Sequence, residues 1–432
     1  MKKNKLGLFL LLGAALLSAQ EKRMLTLDEA VALGIQNSKN LQIDQQKILD
    51  ALANVVDAKN GMLPTLKVSG SALALANANV DLKMLPSGQG GGAPKAHSAF
   101  FGNVSASLPL FAGGRVQYGI QSAKFLVEAA KLSTQNDQMA MAYTVSQAYN
   151  NLFKAHQAIK VLEENLMASK KRDESFQKLE NNGIVAKNDR LKANLQTSDV
   201  ELQLLDAQNS ASIANINMDL MLGLPETTMI ETDPNYITAL ADPDSKTITY
   251  YMEQATSNRR DLQAFDYQKK AAALGTKAAK AEHWPSIALT GGYIAADVPN
   301  ILTVTNAANI GIGVQYNVDN LWKKNSSLLK AQSKERQIEL GQELLYDQIK
   351  LEVNRDFQNS QFAQKRIGVY EKAAAQANEN YRVVNNKYNN GLATITELLD
   401  ADTAQISANV NVINAKADAM LAYRKLLQSS GL

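Results

Sequence analysis

Asn37-Ser38-Lys39-Asn40-Leu41 opens a helical run that closes on Leu63-Pro64-Thr65-Leu66, and Ser257-Asn258-Arg259-Arg260-Asp261-Leu262 opens another that closes on Trp284-Pro285-Ser286-Ile287. Leu41 and Leu262 stand 221 positions apart, and so do Pro64 and Pro285. Farther on, Asn181-Asn182-Gly183-Ile184 returns as Asn389-Asn390-Gly391-Leu392 after 208 positions. The register shortens by 13, which calls for one insertion between Pro64 and Gly183, and the glycine-rich stretch Pro86 to Pro94 is the place for it. A unit of about 200 residues is too long for a solenoid repeat. The chain reads as two halves, each a helix, a strand pair, a long helix, a turn and a returning helix.

The pieces of each half follow from periodicity. Thr26-Leu27-Asp28-Glu29 is a capping-box pattern that starts a helix running to Asn60, before Gly61 and Pro64 stop it. Leu66, Val68, Gly70, Ala72 and Ala74 then alternate with polar neighbours, as do Phe100, Gly102, Val104, Ala106, Leu108 and Leu110. In the second half Ile287, Leu289, Gly291, Tyr293 and Ala295 do the same, followed by Ile310, Ile312, Val314, Tyr316 and Val318. Period two marks strands with one apolar and one polar face. They span about 64–76, 98–111, 285–296 and 308–318, with runs of roughly ten residues, enough to cross a bilayer when tilted.

After each strand pair the period becomes helical. Val145, Tyr149, Leu152, Ile159, Leu162 and Leu166 form one stripe, and Leu345, Ile349, Val353 and Phe357 another. No proline occurs from about Gly114 to Asn181 or from Val318 to Asn390. At 1.5 Å per residue, about 70 residues make roughly 100 Å of helix. Each long helix meets a glycine turn, at Gly183 or Gly391, and returns. Leu191, Leu195, Leu202, Leu205, Ile213, Ile216 and Leu220 stripe the first return, and Ile406, Val410, Ile413 and Met420 the second. These are antiparallel hairpins of coiled-coil type. The halves are 20–225 and 249–432. Pro225, Pro234 and Pro243 mark residues 226–248 as an irregular connector.

Residues 1–19 read as a secretory signal: Lys2, Lys3 and Lys5 precede the apolar run Leu6 to Leu17, and Ser18-Ala19 offers a cleavage point. The formal charge of +3 matches those three lysines, so the mature chain of about 413 residues is near neutral. That balance gives no clustered basic footprint for nucleic acid. With no cysteine there is no disulfide, thiolate site or lipidated cysteine. His97, His156 and His283 are far apart and no catalytic motif surrounds them, so no enzyme, cofactor or metal site is expected.

Four strands cannot close a barrel, since the smallest outer-membrane barrels have eight, and an open sheet in lipid leaves costly unpaired edges. Three chains would supply twelve strands and, with four long helical segments each, a twelve-helix tube. In sequence, the chain resembles the TolC family of outer-membrane efflux and secretion ducts over nearly its whole mature length. The resemblance lies in Thr26-Leu-Asp-Glu-Ala-Val31, Leu63-Pro-Thr-Leu66, Leu108-Pro-Leu-Phe-Ala-Gly-Gly-Arg115, Gly183 to Leu195, Leu222-Gly-Leu-Pro225 and Tyr388 to Ala404. It implies a mainly α protein with β: a homotrimer with an α-barrel of long coiled-coil hairpins and a shared twelve-stranded transmembrane β-barrel. It implies residence in outer-membrane lipid with a large periplasmic part, and partners in a periplasmic adaptor, or membrane fusion protein, and an inner-membrane pump.

The resemblance also assigns residues. Glu397 and Asp400 become an acidic ring at the narrow end of the tunnel. Asp189 and Tyr388 become the latch between hairpins, although Ala393 stands where an arginine is expected, leaving Lys387 or Arg190 to supply a cation. The turns Gly183-Ile184-Val185 and Gly391-Leu392, with Thr394, become adaptor-docking tips. The expected function is export of drugs, toxic compounds or metals from a tripartite pump. The alternatives are a type I protein-secretion duct and a non-channel periplasmic coiled-coil scaffold. The cargo leaves no signature in a tunnel wide enough for either kind.

Overall fold

The computed structural model describes residues 22–79, 95–237, 246–299 and 301–432. The expected signal segment and the stretch Pro86 to Pro94 lie outside them. Among the described residues, eight α-helices and six strands follow in the order β1 (Lys22–Leu25), α1 (Leu27–Asn37), α2 (Lys39–Asn60), β2 (Thr65–Asn79), β3 (Lys95–Phe111), α3 (Arg115–Asn181), α4 (Lys187–Leu222), β4 (Met229–Thr232), α5 (Ile248–Asn258), α6 (Arg260–Lys280), β5 (Ser286–Val298), β6 (Leu302–Gln315), α7 (Ser326–Asn389) and α8 (Ile395–Ser429). Two compact units result. One holds the described part of Met1–Ile43 with Thr134–Arg260 and Tyr346–Leu432; the other holds Asp44–Ser133 and Asp261–Leu345. Each unit therefore draws on both halves of the sequence.

The helix expected from Thr26 to Asn60 is broken at Ser38, where ψ is 118°. The Ser38 hydroxyl accepts from the Leu41 amide and so caps the second piece. Arg259, 221 positions on, breaks the second half's helix with nearly the same backbone angles. Thr26 forms the expected capping box with Glu29.

In the first unit, β1 and β4 pair in parallel, Lys22 beside Met229 through Leu25 beside Thr232. The connector 226–248 is thus not irregular throughout, as its prolines implied: Met229–Thr232 is a strand, too short to show an alternation. Beneath this pair lie Val145, Tyr149, Leu152 and Phe153 of α3, with Met218 and Leu222 of α4. Tyr236 stands edge-on to both Tyr149 and Phe153, at 5.3 and 5.0 Å between centroids. The Tyr149 hydroxyl donates to the Leu25 carbonyl and accepts from the Asp233 amide, both at 2.8 Å. Burial pushes that phenol's pKa up to about 12.

The stripe expected to seat α4 against its own chain lies on the other side. Leu191, Leu195, Leu202, Leu205, Ile213, Ile216 and Leu220 are exposed, whereas Ala193, Thr197, Val200, Leu204, Ala211, Met218 and Leu222 are buried. Small residues let α4 approach its neighbours closely, so the inward face is the less hydrophobic one. Leu204 meets Leu162 and Ile406 in a cluster that joins three helices.

In the second unit, β2, β3, β5 and β6 form one antiparallel sheet in that order. Val68 lies beside Val104, Val104 beside Tyr293, and Leu289 beside Ile312. The strands run 13 to 17 residues, longer than the alternation marks, and the last is displaced from the expected 308–318. β6 begins at Leu302, where Leu302 and Val304 pair with β5, and ends at Gln315, so Tyr316 and Val318 lie beyond it. β2 and β6 are edges. Val68 is 77% exposed and Ile310 81%, and Leu66, Ile312 and Val314 are exposed beside them. Gly113, at φ +62°, turns β3 into α3; a β-carbon there would sit 2.7 Å from the Ala281 carbonyl oxygen.

Candidate functional site

The candidate residues gather where the hairpins turn. At the first turn the Gly183 amide donates to the Glu180 carbonyl and the Ile184 amide to that of Leu179, at 2.8 and 2.9 Å. At the second, the Gly391 amide donates to Tyr388 and the Leu392 amide to Lys387, at 2.9 and 2.8 Å. Both are Schellman closures, and both glycines have φ near +70°. The closure turns the next side chain outward: Ile184 is 70% exposed and Leu392 76%. Val185 instead packs inward, on the cluster formed by Phe176, Ala193, Ile395, Leu398 and Leu399.

The two returning helices start differently. Thr394 caps α8, and Glu397 completes a capping box: its carboxylate accepts from the Thr394 amide at 2.7 Å and the Thr394 hydroxyl at 3.0 Å. Those hydrogen bonds, with Lys387 contributing, hold the Glu397 carboxyl below its usual range. At α4 the cap position is Ala186, which has no side chain to offer. Asp189, three residues on, lies 3.8 Å from Lys192 and near enough to Tyr388 to help burial raise its phenol. Tyr388 rests against Phe176 at 5.7 Å. Glu397 and Asp400 are both exposed, opposite the buried Leu398 and Leu399. Arg190 is committed to Glu180 of its own hairpin at 3.0 Å.

Sequence reading missed the strongest link nearby. Arg172 of α3 donates to Asp402 of α8 at 2.9 Å and to the Tyr381 hydroxyl of α7 at 3.3 Å. The two charged side chains are only 13% and 9% exposed. Gln196 and Thr403 meet beside it at 3.3 Å, and Ser169 and Thr197 at 2.7 Å. Asp402 lies two residues past Asp400, but no local pattern marks an arginine 230 residues away as its partner. No helix among the described residues is long and apolar enough to cross a membrane.

The chain thus combines long helical hairpins closed by glycine turns with a four-stranded sheet that carries exposed apolar side chains. The chain belongs to the outer membrane efflux protein family, whose model matches residues 31–224 and 251–432. The expected TolC-type relationship therefore holds: this is an outer-membrane efflux channel protein with a periplasmic part. Its fold is similar to that of CusC, with a TM-score of 0.76 at 18% identity over 94% of this chain and 92% of that one. The outer membrane protein VceC of Vibrio cholerae gives 0.73 at 17% over 94% and 96%, and the Neisseria gonorrhoeae channel MtrE 0.73 at 18% over 94% and 88%. No curated protein gives a significant sequence match.

Proposed function

We propose that three copies of this chain form a duct that exports small molecules, drugs, toxic compounds or metals, handed over by an inner-membrane pump through a periplasmic adaptor. The observation that carries this is the sheet. Its apolar side chains Val68, Ile310, Ile312 and Val314 are exposed, and its edge strands, β2 and β6, have no partner in the chain among the described residues. In lipid each unpaired backbone group costs several kcal/mol, so the sheet needs neighbours, and β6 of one copy beside β2 of the next closes a barrel of twelve strands. The hairpins then form the α-barrel. Glu397 and Asp400 ring its narrow end, Asp189 and Tyr388 act at the entrance, and the turns at Gly183 and Gly391 meet the adaptor.

Native mass spectrometry of detergent-extracted protein tests the assembly: three copies are expected, together with single-channel conductance in planar bilayers. A water-soluble monomer that keeps its strands would end this proposal.

A further inference from the structure

The first unit holds a cavity of about 640 Å³ between α3, α4, β1 and β4. That volume falls in the range of about 300–1,000 Å³ usual for small-molecule sites. Its walls are mainly apolar. Met24, Met229 and Ile216 line it at 60, 42 and 40% exposure, and the half-buried Ile159 lines it too. Large apolar side chains left open around a concavity mark a binding surface rather than scattered exposure. Two of them are methionines from paired strands, and methionine adapts to irregular ligands.

The polar groups are few and placed. Asn215 of α4 donates to the Thr228 carbonyl and to Asp219, and accepts from the Ile230 amide, at 2.7 to 2.8 Å. Its amide is thereby committed to holding β4 against α4, so this wall stands before any ligand arrives. On α3, the Nδ1 of His156 lies 3.4 Å from the Thr232 hydroxyl, and its Nε2 has no partner among the described residues. Burial holds the pKa of the ring below the ordinary histidine value, against the pull of Glu231, so the imidazole is neutral near pH 7. With the Thr232 hydroxyl donating to Nδ1, the proton sits on Nε2 and can be donated.

The charges sort along the cavity. Ser169 meets Thr197, each 14 positions from Gly183, so positions equally far from that turn on α3 and α4 stand level. Lys160 comes 23 positions before Gly183 and Asn215 32 after it, which separates them by about 14 Å along the helices. Lys160, at the end nearer the turn, is exposed and makes no ion pair among the described residues. It lies one turn from His156 on the same face of α3. Lys22 is already held by Glu231 at 3.2 Å. Glu226 lines the far end, near enough to Asp219 to help raise that carboxyl's pKa.

We infer that this cavity binds a small amphiphilic organic anion, an aryl or alkyl carboxylate, with its head on Lys160 and the Nε2 of His156 and its apolar body along Ile159, Ile216, Met24 and Met229. Glu226 repels the head from the other end, which sets the direction of entry. A cationic head would find only the exposed Glu226, because Asn215 and the Thr228 carbonyl at that end are already bonded to each other. The site lies wholly within one unit of one chain and stands apart from the duct's cargo path and from its docking turns.

Isothermal titration calorimetry of the full-length, detergent-extracted protein with 4-phenylbutyrate tests the site, with titration into detergent alone as the blank. Saturable binding of one probe per chain is expected. Lys160→Gln should weaken it roughly tenfold or more, the loss of one charge-assisted hydrogen bond. 4-Phenylbutylamine, with the same body and the opposite charge, should bind at least about tenfold more weakly. Ser212→Phe, which fills the cavity from an exposed position of α4, should abolish binding. A second measurement uses the absence of cysteine from the chain. The probe should slow maleimide labelling of Ser212→Cys and leave that of Ser198→Cys, exposed on the same helix outside the cavity, unchanged. Absence of saturable heat, or of protection at position 212, overturns the site and shows the cavity closed or filled by another copy. An amine bound as tightly as the acid overturns the assignment to anions, and binding retained in Ser212→Phe overturns the location.

Discussion

Arg172 and Asp402 meet at 2.9 Å, each equally far from its own glycine turn, and pin the first helical hairpin to the second. A buried pair of this kind fixes alignment more than it adds net stability. Breaking one side is costly, because the remaining charge stays in the bundle. Arg172→Ala is expected to destabilise the hairpin pair by about 3–5 kcal/mol. The double change Arg172→Met with Asp402→Leu should recover most of that. Thermal unfolding followed by circular dichroism measures both; equal losses in the single and double variants would show that the pair does not set the alignment.

Asp219 gives the first unit a pH dependence. It is fully buried near the end of α4; one carboxylate oxygen accepts from the Asn215 amide at 2.8 Å and the other has no partner among the described residues. Burial, aided by Glu226, raises its pKa to about 6. A carboxyl raised in the fold favours folding when protonated. Its contribution is full below the unfolded value near 4 and is lost as pH rises through about 6. Asp219→Asn keeps an acceptor for Asn215 and removes the buried charge. It should stabilise the protein at pH 7.5 by roughly 1–3 kcal/mol and flatten the melting temperature between pH 5 and 7. A melting temperature that still changes with pH in that window would assign the titration elsewhere.

Replacing Ile184 and Leu392 by Asp should abolish export while trimer and membrane insertion persist. Each new carboxylate would have to be desolvated without a partner wherever the turns are covered. Both side chains are largely exposed in the chain, so folding should be indifferent. Drug-susceptibility assays in a strain with no redundant duct measure export, and undiminished resistance would remove the turns from the docking surface.

Glu397→Gln with Asp400→Asn tests the acidic ring. Gln also completes a capping box, so the start of α8 survives and only charge is lost. Wild-type channels in planar bilayers should prefer cations and be blocked by multivalent ones, and the variant should lose both properties. Unchanged selectivity would place both residues away from the lumen. Because Glu397 is held ionised by Thr394, Thr394→Ala should raise its pKa and move any acid-induced fall in conductance to higher pH.

The parts of the fold carried by local patterns were legible: the alternation at Val68 and Ile312, the glycine turns, and the prolines that stop α2 and α6. The face of α4 was not. Periodicity finds an apolar stripe but cannot say whether it faces its own chain or a copy, and the buried face at Ala193, Thr197 and Ala211 is too weakly hydrophobic to stand out. The β1–β4 pair was invisible because strands of four residues carry no period. At the turns, Glu397 and Asp400 are candidates through family resemblance alone, while the Arg172–Asp402 pair depends on three-dimensional juxtaposition. Glu397's cap on Thr394 was readable from spacing, since Thr394-Ile395-Thr396-Glu397 repeats the Thr26–Glu29 pattern.

The pairing of Lys22 with Met229 has a consequence for the order in which the molecule takes shape. β1 is synthesised before nearly everything else described, yet its partner strand emerges only after α1 to α4 and the first strand pair have been made. Closing so long a loop is an entropic cost met only once the intervening helices are in place. The Tyr149 hydroxyl tightens the dependence, since its two bonds need both Leu25 and Asp233. The oldest strand of the nascent chain is therefore among the last to find its seat, and its amide hydrogens should gain exchange protection late in refolding, after those of α3 and α4.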